Sequence, residues 1–324
     1  MAMLSVLIGK QTHPSLHIRA STILDLPLSN SRTTLKSKDK VVFVMGATGT
    51  GKSRLSVDLA TRFNGEIINS DKIQVYEGLD IAANKITEEE CYGVPHHLIG
   101  VIPSHADFTC TDFCDMVSEK MDDIVARQRL PIIAGGSNNY IKALVDDEFY
   151  GFRSKYECCY LWVDVSMSVL YQALKDRVDQ MVEKGMVEEV RKMFKPDADY
   201  SKGVLRAIGG AELDHYFRVE ASADEKNRAR LLKEALDEVK INSCILARRQ
   251  VEKILALKND EGWNIHRLDA TNVFPKHSKK SRKAWEELVL RPSLEIVSQF
   301  LNNSTMMREE LVMAHQNCTI LTGV

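Results

Sequence analysis

The chain has 324 residues, of which 44% are hydrophobic and 27% charged, and its 43 basic and 45 acidic side chains give a net charge of -2. This balance argues against a broad nucleic-acid surface, which needs a basic excess, and no apolar run approaches the ~20 residues of a membrane-spanning helix. The seven cysteines form no C-x-x-C pair, so neither a zinc site nor a disulfide framework is indicated.

The N-terminal segment has the composition of a targeting sequence. Residues 1–38 carry five basic side chains and one acidic one, together with six serines and four threonines. This composition is typical of a transit peptide, and a disordered tail is the alternative. We therefore expect residues 1–39 to lie outside the fold and residues 40–324 to form the folded domain. A transit peptide predicts a plastid location, with the mitochondrion or cytoplasm as alternatives.

The most informative motif is the octapeptide at residues 46–53. It fills every position of the P-loop pattern G-x-x-x-x-G-K-[ST], with Gly46, Ala47, Thr48, Gly49, Thr50, Gly51, Lys52 and Ser53. The apolar run at 41–45 predicts a buried parallel strand before the loop, and the apolar spacing over 54–63 predicts a helix after it. Such a loop surrounds a di- or triphosphate with backbone N–H groups, Lys52 adds a positive charge and Ser53 can hold Mg²⁺. The motif leaves open whether that phosphate is transferred, hydrolysed or expelled.

Polar residues follow two further predicted strands. Asp71 ends the strand predicted at 65–71, and Ser137 and Asn138 follow the strand predicted at 130–134. Ligands bind at the carboxyl edge of open α/β sheets, so we expect Asp71 to lie beside the P-loop if the two strands are neighbours. A turn or a helix cap is the alternative role for this aspartate.

The segment between these strands contains adjacent histidines and a predicted helix. His96 and His97 would point to opposite faces of an extended chain, which argues against a shared metal ion. We expect Thr111 to cap a helix that ends near Gln128.

The second half of the chain continues the alternation of strands and helices. The predicted elements are a strand at 158–164, a helical region from Ser166 to Pro196 interrupted at Gly185, a helix at 223–258, a strand at 264–268, and a helix at 281–303 broken at Pro292. Arg206 lies in a glycine-flanked loop and could reach a phosphate or form a surface ion pair. The pattern predicts an α/β protein with a P-loop NTPase-like doubly wound parallel sheet and an additional helical subdomain at about 166–258.

Kinases and NTPases are the usual P-loop proteins, and they carry a Walker B acid at the end of a second strand. Here the strand at 130–134 is followed by Gly135 rather than an aspartate, and Asp164 is the only alternative Walker B acid.

Six motifs instead make residues 41–254 resemble the isopentenyl (dimethylallyl) transferases that prenylate adenine. They are G-A-T-G-T-G-K-S at 46–53, I-I-N-S-D-K-I-Q-V-Y at 67–76, G-V-P-H-H-L at 93–98, A-G-G-S-N at 134–138, R-A-I-G at 206–209 and A-R-R-Q at 247–250.

The resemblance implies a donor, an acceptor and roles for individual residues. Dimethylallyl diphosphate would lose its diphosphate in the P-loop, with Mg²⁺ as cofactor and with Thr48 and Arg206 assisting. Asp71 would be the general base that takes a proton from the adenine amine. By their location in the chain, Ser137 and Asn138 are assigned to holding the acceptor, and Lys240 and Arg248 to a place near its phosphates.

Two branches of this family differ in their acceptor. Members that modify tRNA resemble this chain but carry a helical insertion after the G-G-[ST] motif, and eukaryotic ones often add a zinc finger. Here the chain passes from residue 143 almost directly to the strand at 158, and Cys318 alone cannot build a zinc finger. This favours the plant, cytokinin-forming branch, which acts on free AMP, ADP or ATP. We therefore expect neither tRNA nor a membrane as a partner, and we expect the protein to be a monomer. A tRNA prenyltransferase and a P-loop kinase or nucleotide-binding module are the alternatives.

Overall fold

The computed structural model describes residues 38–274 and 279–303. The predicted transit peptide, residues 1–39, therefore lies outside the described residues except for its last two positions. Within the described ranges, no helix combines the length and the apolar character needed to cross a membrane.

The described residues contain one sheet of six parallel strands. These are β1 (Asp39–Gly46), β2 (Gly65–Asn69), β3 (His96–His97), β4 (Leu130–Ala134), β5 (Tyr156–Asp164) and β6 (Ile265–Asp269). Their order across the sheet is β3-β2-β4-β1-β5-β6, and every neighbouring pair is parallel. The predicted α/β class with a parallel sheet is confirmed.

Helices connect and follow the strands. They are α1 (Lys52–Phe63), α2 (Glu88–Cys91), α3 (Cys110–Ala126), α4 (Asn138–Asp146), α5 (Phe152–Lys155), α6 (Met167–Glu183), α7 (Met186–Met193), α8 (Gly210–Val219), α9 (Glu225–Asn259) and α10 (Lys279–Trp285). A 3₁₀ turn occupies Gly203–Arg206, where the sequence predicted a loop, and a second 3₁₀ turn occupies Thr271–Val273. The helical part predicted at 166–258 contains α6 to α9, although the sequence pattern did not predict α8.

The two faces of the sheet bury two separate apolar cores. Val41, Phe43 and Met45 of β1 join a core that includes side chains of α3, α4 and α8. Val42 and Val44 of the same strand join a second core with side chains of α1 and of the C-terminal helix. Because successive side chains of a strand point to opposite faces, a strand buried on both faces needs the uninterrupted apolar run that predicted β1.

Two predicted helix boundaries are wrong. Thr109, not Thr111, caps α3: its Oγ1 accepts a hydrogen bond from the Asp112 N–H at 3.2 Å, and its own N–H donates to Asp112 Oδ2 at 2.8 Å. Both threonines are residue types that cap helices, but only Thr109 is followed three residues later by a carboxylate, that of Asp112. Thr109 therefore forms the capping box.

The C-terminal helix is not broken at Pro292. A π-helical turn at Glu286–Leu290 follows α10, and helix 291–303 continues through the proline. The N–H of Arg291 donates to the carbonyl of Glu286, five residues earlier. Proline has no N–H and its ring would clash with the preceding turn of a regular helix, so the wider turn just before it lets the helix continue.

Candidate active site

The P-loop connects the carboxyl end of β1 to the first turn of α1. Gly51 has φ +99°, in the left-handed region, and a methyl group there would lie 2.8 Å from the indole ring of Trp285. Gly46 is equally confined, since a methyl group would lie 2.6 Å from the carbonyl oxygen of Val163 on β5. The glycines therefore let the loop turn tightly against its neighbours, and α1 begins at Lys52 with its first N–H groups facing the loop.

Lys52 lies inside the loop. Its Nζ donates a hydrogen bond to the carbonyl oxygen of Ala47 at 2.8 Å. Burial lowers the pKa of Lys52 to about 8, against the opposing attraction of Asp71 and with a further lowering by Arg177. A buried cation is thus held at the position where the P-loop pattern expects a phosphate.

Arg177 is a member of this site that the motifs did not identify. It extends from α6, and its Nη2 donates to Thr48 Oγ1 at 2.9 Å, while its Nε is buried and has no hydrogen-bond partner among the described residues. Burial also lowers the pKa of this guanidinium, which Asp71 partly opposes. A buried guanidinium with an unused donor beside a P-loop is suited to a phosphate oxygen.

The sequence does contain a signal for Arg177. Leu170, Leu174 and Met181 form a buried stripe on α6. Arg177 continues that stripe, seven residues after Leu170 and three after Leu174. A basic residue on the buried face of an amphipathic helix indicates a special environment, because its charge requires a partner there.

Asp71 reaches the same site from the other half of the sheet. It follows β2 by two residues, its N–H donates to Asn69 Oδ1 at 3.0 Å, and its Oδ1 accepts the Ile73 N–H at 2.9 Å. The condition that β1 and β2 are neighbours is not met, because β4 lies between them. Asp71 nevertheless interacts electrostatically with Lys52 and Arg177, so the site extends across three strands.

Ser137 ends the loop that joins β4 to α4, and Asn138 is the first residue of α4. Ser137 Oγ accepts the Lys72 N–H at 2.9 Å, which ties this loop to the turn that contains Asp71. Asn138 Nδ2 donates to the backbone carbonyl of Gln250 at 3.1 Å, and its Oδ1 is buried without a partner among the described residues. The structure therefore brings both residues to the Asp71 side of the site.

Arg206 lies on the Asp71 side rather than on the P-loop. Its Nη2 donates to the hydroxyl of Tyr76 at 2.8 Å, and its Nε donates to the Gly203 carbonyl at 3.2 Å. Burial, followed by repulsion from Arg206, lowers the pKa of Lys72, while Asp71 raises it. Lys72 and Arg206 are thus two cations near one another on the Asp71 side of the site.

The structure does not bring Lys240 and Arg248 to this group. Lys240 Nζ pairs with Asp179 Oδ1 of α6 at 2.5 Å, and its place on α9 is ten residues, or about 15 Å, from Gln250. Arg248 Nε pairs with Glu252 on an exposed face. Two helical residues differ in direction by about 200°, so Arg248 and Gln250 face opposite ways on α9.

Magnesium was predicted at Ser53. Ser53 lies in the exposed first turn of α1. No group of three or more histidine, cysteine, aspartate or glutamate side chains converges on one point within the described part of the chain. Mg²⁺ keeps most of its waters and uses substrate phosphates and one or two protein ligands, so a single hydroxyl beside a phosphate cradle fits this ion.

The sequence matches a family model described as IPP transferase over residues 74–153 and 147–254. Among curated relatives, adenylate isopentenyltransferase 3, chloroplastic, of Arabidopsis thaliana is 55% identical over 267 residues, covering 82% of this chain and 80% of the relative. Adenylate isopentenyltransferase 7, mitochondrial, of the same plant is 49% identical, covering 87% and 86%. Adenylate isopentenyltransferase of Humulus lupulus is 43% identical, covering 80% and 89%.

Solved structures share the fold. A eukaryotic dimethylallyltransferase acting on tRNA superposes with a TM-score of 0.68 at 24% identity, covering 82% of this chain and 80% of that one. The tRNA isopentenylpyrophosphate transferase of Bacillus halodurans superposes with a TM-score of 0.65 at 26% identity, covering 85% of this chain and all of that one.

Proposed function

We infer that the chain, which belongs to the IPP transferase family, is an enzyme that prenylates adenine: it transfers a dimethylallyl group from dimethylallyl diphosphate to N6 of a free adenine nucleotide and releases diphosphate. This reaction is adenylate isopentenyl transfer, the first step of cytokinin biosynthesis. It is the activity named for relatives up to 55% identical over most of both chains.

The donor diphosphate is assigned to the P-loop. The loop at 46–53 provides backbone N–H groups other than those of Thr48 and Thr50, which are bonded to Gln250 and Ala47. Lys52 and Arg177 provide two cations held close to Ala47 and Thr48. As the bond between the allylic carbon and its oxygen breaks, negative charge develops on the leaving diphosphate. Cations preorganised before the reaction stabilise this charge without reorganising. Mg²⁺, bound through Ser53 and the phosphates, would add further positive charge there.

The acceptor amine is assigned to the Asp71 side. Its lone pair is delocalised into the adenine ring, so N6 must lose a proton as its bond to the allylic carbon forms. Asp71 Oδ1 is occupied by the Ile73 N–H, and Oδ2 is the oxygen nearer to Gly136. We assign this carboxylate as the base that accepts the N6 proton. The observation that carries the proposal is this carboxylate placed within electrostatic reach of both P-loop cations.

A free nucleotide is the acceptor that the fold favours. Between β4 and β5, residues 135–155 hold only α4 and α5, so no large helical insertion separates these strands. We propose that Lys72 and Arg206, the two cations on the Asp71 side, bind the phosphates of the nucleotide. Dimethylallyl diphosphate and an adenine nucleotide are therefore the proposed substrates, with Mg²⁺ as cofactor. We further propose a plastid location, because adenylate isopentenyltransferases 3 and 5 of Arabidopsis thaliana, which are 55% and 53% identical to this chain, are both named as chloroplastic.

The test is a product assay by mass spectrometry. Purified protein receives dimethylallyl diphosphate, Mg²⁺ and an equimolar mixture of AMP, ADP, ATP and undermodified tRNA. We expect prenylated free nucleotides, with a rate reduced about 10²- to 10⁴-fold in Asp71→Asn because the base is lost. Asp260→Asn, at an exposed position after α9, is the matched control and should react like the wild type. Modification of tRNA alone, or an unimpaired Asp71→Asn, would contradict the proposal.

A further inference from the structure

Gln250 joins the two halves of the site through a single side chain. Its Oε1 accepts the backbone N–H of Thr48 in the P-loop at 2.7 Å. Its Nε2 donates to the carbonyl of Gly136, in the loop after β4, at 3.1 Å. The family motif at 247–250 contains this glutamine, but the sequence analysis assigned it neither to the donor nor to the acceptor.

The residue occupies a position where an apolar side chain would be expected. Ala247, Ile254 and Leu257 form the buried stripe of α9, and Gln250 lies on that stripe with only 7% of its surface exposed. Burying a primary amide costs free energy unless its donor and acceptor both find partners. Here one partner lies in the P-loop and the other in the loop after β4, so the amide is satisfied only when both loops hold their positions.

The backbone of the same residue adds a third connection. Its carbonyl accepts a hydrogen bond from Asn138 Nδ2 at 3.1 Å. Gly136 and Asn138 therefore both bind Gln250, one through its side chain and one through its main chain. This fixes the loop after β4 to one turn of the rigid helix α9.

Each of the two loops serves one half of the proposed reaction. On the side of the dimethylallyl donor, the hydroxyl of Thr48 accepts a hydrogen bond from Arg177. On the acceptor side, a methyl group on Gly136 would lie 3.6 Å from Asp71 Oδ2 and would overlap the Nε2 of Gln250. The glycine thus leaves room for the glutamine amide at a position that also adjoins the proposed base.

We propose that Gln250 is a positioning residue that sets the separation between the diphosphate cradle and the base. This inference rests on the proposed function. It assigns Gln250 no contact with a reacting atom. Its effect is to hold two preformed half-sites at the spacing at which the amine can attack the allylic carbon, and misplacement of reacting groups by ~1 Å can cost about 10²-fold in rate.

The proposal predicts a particular kinetic signature for Gln250→Met, which keeps the length of the side chain and removes both hydrogen bonds. Each half-site remains intact, so the dissociation constants of inorganic diphosphate and of AMP, measured separately by calorimetry, should stay within about threefold of the wild type. The value of kcat should fall about 10- to 100-fold, because only the alignment of the two substrates is lost.

Gly136→Ala tests the same contact from the other side and leaves Gln250 in place. Its methyl group displaces the flexible end of the glutamine, so this variant should reproduce the loss of kcat. The double variant should lose little more than either single variant, because both remove one shared interaction. Gln180→Met, at an exposed position of α6, is the control for the amino-acid change itself and should retain full activity.

The outcomes separate the proposal from its alternatives. An unchanged kcat in Gln250→Met, or additive losses in the double variant, would overturn it. A lowered Tm with unchanged kcat per folded molecule would also overturn it, in favour of a purely structural role. If the wild type binds diphosphate but prenylates no adenine nucleotide, the proposed function fails instead, and the two failures remain distinguishable.

Discussion

Replacing Lys52 with methionine should abolish activity and yet stabilise the fold. Burial lowers the pKa of Lys52 from 10.5 to about 8. Between pH 8 and 10.5 the unfolded chain therefore binds a proton that the native protein does not. The stability of the wild type rises with pH across this window, and below pH 8 the protein bears the full cost of a buried charge.

The magnitude follows from the shift. One pKa unit corresponds to about 1.36 kcal/mol, so the cost at pH 7 is at most ~3 kcal/mol, and ~1–2 kcal/mol is the expectation once the side chain's partial exposure is allowed for. Lys52→Met should thus raise Tm by about 2–6 °C at pH 7. The gain over the wild type should shrink toward zero as pH approaches 10.5.

Differential scanning calorimetry of both proteins from pH 7 to 10 measures this difference. Lys52→Arg is the control, because arginine keeps its proton throughout this range and should lack the pH dependence that comes from position 52. Inorganic diphosphate should raise the Tm of the wild type far more than that of Lys52→Met. A methionine variant that is less stable than the wild type at pH 7, or a stability difference that does not change with pH, would refute the reasoning.

Two further substitutions test side chains that contact the P-loop from other helices. Arg177→Met removes the charged hydrogen bond to Thr48, so the donor KM should rise about 10- to 100-fold with little change in the nucleotide KM. Arg177→Lys should recover part of the loss, and equal effects on both substrates would contradict the assignment. Trp285→Ala removes the ring that packs against Gly51 and the 3.0 Å hydrogen bond from its indole to Asp58. Urea unfolding should show a loss of ~3–5 kcal/mol with a raised donor KM, whereas Trp285→Phe should lose only ~1 kcal/mol, and equal losses would show that the ring contact is unimportant.

Local patterns were sufficient for five of the six described strands and for the P-loop, but not for the two-residue strand β3 or for the residues that distant elements bring to the loop. The apolar run of β1 and the glycine spacing after it are properties of consecutive residues. Arg177 reaches Thr48 only through the packing of α6, from 129 positions away in the sequence. The motif that contains Arg248 also contains Gln250. Identifying which of the two faces the site requires knowing the rotational phase of α9, that is, which side of the helix faces the sheet. Motif membership alone does not give that phase.

The strand order sets the distance between the phosphate-binding loop and the proposed base. β4 lies between β1 and β2, so the P-loop and the turn of Asp71 start from strands about 9–10 Å apart. Here the gap accommodates a contact from loop to phosphate, an attack distance of ~3–3.5 Å at carbon, and a hydrogen bond of ~2.9 Å from the amine to the carboxylate. The intervening strand therefore provides the space in which the allylic carbon and the adenine amine would lie between the leaving group and the proposed base.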